Sequence, residues 1–162
     1  MKKISFILIL FFSFITNINA DTKRIISGNK DAKITIIAYE SLTCSHCANF
    51  HKDVYPLLKK DYLDTGLAKI EFRHFPLDIA ALNAAKVAQC NIKDSLKILE
   101  SLYSNQQSWV KGNTVVEVNK NLKKFIEKEQ FNINFEKCIN DKNIEDFVLN
   151  DRIEGTKNFK IN

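Results

Sequence analysis

The stretch Thr43 to His51, TCSHCANFH, sets two cysteines three positions apart at the point where the hydrophobic period of the chain changes. Ahead of it, Ala32 to Ser41 (AKITIIAYES) is dense in β-branched and aromatic residues and too short for an ordinary helix, which is the pattern of a buried strand. Behind it, Cys47, Phe50, Val54, Leu57 and Leu58 recur at helical spacing, with Pro56 marking a kink. The pair therefore stands at a strand-to-helix junction. Gly66 closes the helical unit, and LAKIEFRHFPLD reads as a second strand that Pro76 stops. KRIIS, before the Gly28–Asn29 turn, reads as a short edge strand. Strand, helix and strand in that order predict an α/β fold built on a parallel βαβ unit with a right-handed crossover.

Everything after Pro76 reads as helix. Asp78 to Cys90 is alanine-rich and amphipathic, and Asp94 to Tyr103 repeats Leu96, Leu99 and Leu102. Thr114 to Glu129 opens with a capping box, Thr114 to Glu117, and carries Val115, Val118, Leu122 and Phe125 on one stripe. Two shorter helices are expected around Phe135 to Ile139 and Ile144 to Ile153.

Three chemistries compete for a Cys-x-x-Cys pair: metal binding, a structural disulfide and redox exchange. A closed zinc site wants four ligands, usually in two close pairs. This chain has one close cysteine pair, and its only imidazoles are His46, His51 and His74. A cysteine opening a helix lies among unpaired backbone N–H groups at the positive end of the helix dipole, which favours the thiolate. Cys44 holds that place, and Cys47 follows one turn inside. Cys44 is thus the attacking or attacked sulfur, and Cys47 resolves the mixed disulfide. An imidazole at His46 adds stabilisation to the thiolate; the bland alternative is a solvated polar side chain in a first turn. A CxxC motif before a helix in a βαβ context favours redox exchange.

Residues 1–20 carry Lys2 and Lys3, an apolar run from Ile4 to Ile15 and the small residue Ala20, the form of a secretory leader cleaved after Ala20. The alternative, an uncleaved anchor, is short of the roughly 20 apolar residues a span needs. Without the two leader lysines, 22 basic residues face 19 acidic ones, a mild excess of +3 scattered along the chain. No basic patch supports a nucleic-acid partner. All four cysteines, Cys44, Cys47, Cys90 and Cys138, fall in the exported part, and an even count outside the cytosol favours disulfides. The local pairing of Cys44 with Cys47 leaves Cys90 with Cys138. Each of those follows an apolar residue one turn earlier, Val87 and Phe135, so both face one helical core. Two buried free thiols are the alternative.

The segment ITIIAYESLTCSHCANFHKDVYPLLKKDYLDTGLAKIEFRHFPLD resembles the DsbA family of exported thiol:disulfide oxidoreductases, and QQSWV at Gln106 to Val110 agrees in character. The resemblance implies a thioredoxin-like βαβ core with an inserted helical domain. Residues 21–76 are then the N-terminal part bearing CxxC, 77–153 the helical insertion, and 154–162 a return towards the core. It implies Cys44 as nucleophile, Cys47 as resolving thiol, and Ser45 and His46 as the dipeptide that tunes the potential. It further implies a periplasmic monomer with reduced secreted proteins as substrates, a membrane quinone-coupled protein as reoxidant, and no metal or nucleotide cofactor. Some relatives carry an extra disulfide in the helical domain, which supports the Cys90–Cys138 pairing.

Three departures stand out. Ser45 occupies a position where the family often has Pro. The buried acid that thioredoxin has six residues before its first cysteine is Ala38 here; Glu40 is the nearest acid, and its two readings are a proton relay and, more commonly for such a group, a surface or strand-end carboxylate. Neither Pro56 nor Pro76 can serve as the family's cis-proline, and the C-terminal strands and closing helix are expected to be missing, as in a truncated gene product. The alternatives to an oxidase are an isomerase or reductase on the same scaffold, and a non-catalytic remnant or binding protein.

Overall fold

The computed structural model describes residues 22–161; the leader read at 1–20 lies outside them. Strands β1 (Ile25–Gly28), β2 (Ile34–Glu40) and β3 (Ala68–His74) form one sheet in the order β1-β3-β2. β2 runs parallel to β3, with Ile36 opposite Ile70, Ala38 opposite Phe72 and Glu40 opposite His74. β1 pairs antiparallel with β3, placing Ile25 opposite Phe72. The alternation along β3 buries Ala68, Ile70, Phe72 and His74 on one face. Among the described residues no strand follows β3, none lies beside the outer edge of β2, and every peptide bond is trans.

Helix α1, residues 45–63, connects β2 to β3. It is not regular: π-helical turns at Phe50–Val54 and Lys59–Leu63 flank the α-helical Tyr55–Leu58. Pro56 sits in the first turn of that middle segment. The irregularity expected at Pro56 therefore begins one turn earlier, where the π turn widens the helix. The helical part follows as α2 (Ile79–Gln89), α3 (Ser95–Ser104), α4 (Gln106–Trp109), α5 (Val115–Lys128), α6 (Phe135–Asn140) and α7 (Lys142–Phe159). Its core gathers Ala84, Val87 and Ala88 of α2 with Ile98, Leu102, Trp109, Leu122 and Ile126. The small alanines let the neighbouring helices approach closely, and the buried Trp109 indole donates to the Leu102 carbonyl at 2.9 Å. The capping box is formed: Thr114 accepts from the Glu117 amide, and Glu117 accepts from the Thr114 amide. Cys90, at the end of α2, is bonded to Cys138 of α6 (S–S 1.98 Å, Cα–Cα 5.5 Å).

The sheet is covered on both faces. α1 and α3 lie over one, where Phe72 meets Tyr55 at 5.4 Å between ring centroids. α7 lies against the other, where Arg73 pairs with Glu154 at 2.5 Å and Tyr39 meets Phe159 at 5.8 Å. Here the chain departs from the sequence reading. α7 continues through residues 154–159, past the Ile153 at which the last helix was expected to end. Gly155 explains why the helix goes on. A Cβ there would meet the Tyr39 ring at 2.9 Å, so the residue that weakens the helix lets it seat on the sheet.

Candidate active site

Cys44 is the N-cap of α1, extended at φ −77° and ψ 120°, and its carbonyl accepts from the Ala48 amide at 3.1 Å. The loop that delivers it is tied from two sides. Ser41 carbonyl accepts from the Cys44 amide at 3.1 Å, and the Thr43 hydroxyl donates to Asp78, the N-cap of α2, at 2.8 Å. From the other side, the Gln106 amide of α4 donates to the carbonyls of Leu42 and Cys44, both at 2.9 Å. A short helix with a buried glutamine thus holds the position of the first cysteine, a role the QQSWV stretch did not announce.

Both cysteines of the pair are free thiols and half-buried. Burial pushes the Cys47 thiol up to about 12, although the Ser41 backbone N–H directed at its sulfur pulls the other way. The Cys44 sulfur and the charge on Glu40 add to the upward shift. Ser45 and His46 are exposed in the first turn of α1, and His46 lines a small hollow of about 280 Å³ with Ala38, Glu40, Cys47 and Phe50.

Glu40 is not the surface carboxylate expected from its place at the end of a strand. It is 9% exposed, on the same strand face as Ala38 and one pleat closer to the cysteines. Its Oε2 lies 2.7 Å from Nε2 of His51, itself only 8% exposed. The His51 ring stacks on Tyr103 of α3 at 4.0 Å. Burial, then the Glu40 charge, holds the Tyr103 phenol well above its usual range. The three imidazoles therefore go to three places: His46 to the surface, His51 to Glu40, and His74 to Gln89 at 3.0 Å. Among the described residues no three His, Cys, Asp or Glu side chains gather as a ligand set for a metal.

A sheet flanked by helices, with a Cys-x-x-Cys pair opening the helix after its edge strand, defines a thioredoxin-fold dithiol protein. A family model described as Thioredoxin matches residues 20–162. The crystal structure of alpha-DsbA1 from Wolbachia pipientis superposes with a TM-score of 0.75 at 31% identity, over 90% of this chain and 73% of that one. The oxidised BdbD structure of Bacillus subtilis shares the fold at 19% identity and a TM-score of 0.65, over 86% of this chain and 80% of that one. A Rickettsia bellii protein named as a protein-disulfide oxidoreductase is 31% identical over 103 residues, covering 62% of this chain and 40% of its own length. The chain thus spans less than half the length of that curated relative. It belongs to the DsbA family within the thioredoxin superfamily.

Proposed function

We propose that this chain is an exported thiol:disulfide oxidoreductase that passes the Cys44–Cys47 disulfide to reduced secreted proteins. The observation that carries this reading is the unequal setting of the two sulfurs. Cys44 caps the N-terminus of α1, and Cys47 lies one turn behind with burial opposing its ionisation. In the oxidised state a substrate thiolate attacks the Cys44 sulfur, and the Cys44–Cys47 bond breaks with its electron pair going to Cys47. A mixed disulfide between substrate and Cys44 results. A second substrate thiolate attacks the substrate sulfur of that bond and Cys44 leaves as a thiolate, so the substrate is oxidised by two electrons and the dithiol reduced. Ser45 and His46 tune the potential, and a membrane quinone-coupled protein reoxidises the pair. The leader at 1–20, cleaved after Ala20, delivers the enzyme to the periplasm as a monomer. Among the described residues no helix is long and apolar enough to cross a membrane. Cys90–Cys138 takes no part in exchange and clamps the helical part.

The test is oxidation of a reduced two-cysteine peptide by stoichiometric oxidised protein, compared with Cys44→Ser. The wild type converts one peptide per molecule and the variant none. Peptide left reduced by both, with ordinary binding to either, would instead mark a non-catalytic binding protein. Rescue of a scrambled disulfide substrate without net oxidation would mark an isomerase.

A further inference from the structure

Two unlike surfaces flank the start of α1. On one side lies the small hollow of Ala38, Tyr39, Cys47 and Phe50, which also holds the buried Glu40 carboxylate. On the other side a groove of about 780 Å³ opens at Ser45, next to Cys44, and runs between α1 and the corner where α3 meets α4. Exposed amides and hydroxyls line it, among them Asn49, Ser104, Asn105 and Gln107. Its place relative to the attacking sulfur is fixed, because Gln106 lines the groove and donates to the Cys44 carbonyl at 2.9 Å. Asn105 and Ser108 also line a second hollow of about 230 Å³, whose far wall is α5 with Lys124 and Lys128. The two hollows thus make one track from the catalytic loop to α5. Lys52 lines the groove, Lys124 and Lys128 line the second hollow, and no carboxylate lines either. All three lysines are exposed, and none has an ion-pair partner among the described residues. The neighbouring charges of α5 are engaged elsewhere: Lys123 bonds to Glu136 at 3.0 Å, and Glu127 lines a separate hollow with Phe131 and Ile133.

We infer that this track binds an acidic stretch of the reduced polypeptide and so selects among substrates for the Cys44–Cys47 pair. The inference rests on the exchange chemistry proposed above and names the class of substrate it favours: secreted chains that carry Asp or Glu a few residues to one side of the cysteine that meets Cys44. The lining suits such a segment at two levels. Asn and Gln side chains each offer N–H donors and a carbonyl acceptor to the peptide groups of an extended chain, and the lysines pair with its carboxylates. A single exposed ion pair contributes little. Three cations on a path without carboxylates act in one direction, raising the encounter rate and fixing which flank of the substrate turns towards α5. The hollow on the other side of α1 holds the Glu40 carboxylate and no lysine or arginine, so an acidic flank laid that way gains nothing. The signature of the track is therefore a one-sided preference. No bond is made or broken along it.

The experiment uses the oxidised protein and reduced two-cysteine peptides extended by about six residues on either the N-terminal or the C-terminal side, as Asp-Ser or as Asn-Ser repeats. Oxidation is quenched in acid and read by alkylation and mass. With the flank on one side, wild type should oxidise the Asp peptide roughly fivefold faster than the Asn peptide, and with the flank on the other side it should show no such gain. The gain should shrink as salt rises from about 20 to about 300 mM. Lys124→Gln/Lys128→Gln should lose most of the preference, and Lys124→Glu/Lys128→Glu should turn it into a preference for Lys-Ser flanks. Lys30→Gln/Lys157→Gln, which removes the same charge from exposed lysines that line neither hollow, should keep the wild-type ratio. Comparing the same two peptides across the variants removes the effect of Asp on the peptide's own thiols. If wild type oxidises no peptide, the exchange reading fails and takes the inference with it. If it oxidises them all, the inference alone is overturned by equal rates for Asp and Asn flanks, or by a preference that survives Lys124→Gln/Lys128→Gln. It is overturned too by an equal gain on both sides, or by an equal loss in Lys30→Gln/Lys157→Gln, either of which would mark attraction by net charge alone.

Discussion

At the scale of single residues, the site works by giving like groups unlike surroundings. Two cysteines three positions apart share a helix, yet one caps its open end while the other is half-buried against Glu40 and held protonated to about 12. Three histidines share a chain, yet only His46 is exposed, in the first turn of α1 and beside the hollow that Cys47 lines. A hydrogen-bond donor at that position favours the reduced, anionic form of the site over the disulfide and so makes the disulfide a stronger oxidant. His46→Ala should therefore lower the oxidising power of the Cys44–Cys47 pair while leaving the fold intact, because the side chain supports nothing in the core. Equilibration with glutathione, read by alkylation and mass, measures this. A variant with the wild-type equilibrium constant would reduce His46 to a surface residue.

At the scale of elements, Gly155 in α7 separates intrinsic preference from context. An exposed mid-helix Gly→Ala change gains roughly 1 kcal/mol. Here the added Cβ would sit 2.9 and 3.0 Å from the Tyr39 ring and 3.3 Å from that of Phe75. Arg73 lies over Tyr39 and Arg152 over Phe75, so a ring that retreats must displace a packed guanidinium. Overpacking costs about 1–3 kcal/mol, so Gly155→Ala should lower the urea midpoint in spite of its better helix propensity. A raised midpoint would show that α7 is free to shift. The same contrast explains what the sequence disclosed. Strands β1 to β3, the helix opening at the cysteines and the capping box at Thr114 were legible because each rests on periodicity or spacing within a few residues. Glu40, His51 and Gln106 were not. Glu40 at a strand end has the signature of a solvated acid, and only a π turn eleven residues on brings an imidazole to it. Gln106 reaches the Cys44 carbonyl across 62 positions, so its function exists only once α4 has docked. The helix past Ile153 was missed because the resemblance assigned 154–162 to a return towards the core, and the seat of Gly155 against the Tyr39 ring exists only once the sheet is in place.

At the scale of the whole molecule, the last helix is fastened by the buried Ile144 and Val148 and by a set of polar ties. Arg24 near β1 pairs with the fully buried Asp151 of α7, whose other oxygen accepts from the His74 amide at 3.0 Å. Buried Lys86 of α2 reaches Glu145 of α7 at 2.6 Å, and Lys142 shares that carboxylate, holding it down to about 2. The Cys90–Cys138 bond adds a covalent tie across 48 positions, worth roughly 4 kcal/mol in the chain-entropy model. Cys90→Ser should accordingly unfold at a lower urea concentration than wild type, and equal midpoints would remove the bond from the stability of the molecule. His74 makes the assembly sensitive to acid. Burial, then the positive charge of Arg24, lowers it from 6.5 to about 4, and as a neutral ring it accepts from Gln89 at 3.0 Å. The unfolded chain takes up a proton at His74 near pH 6.5 that the folded chain refuses until about pH 4. The stabilisation is thus complete above pH 6.5 and drains away as pH falls towards 4, on the order of 3 kcal/mol in all. Most of it goes above pH 5, where most carboxylates are still ionised. Urea unfolding at pH 7.5, 6, 5 and 4.5 should show wild type losing stability from pH 6.5 downward. His74→Gln, less stable at pH 7.5, should hold nearly constant down to pH 5. Parallel declines in the two proteins over that interval would assign the acid sensitivity to other groups.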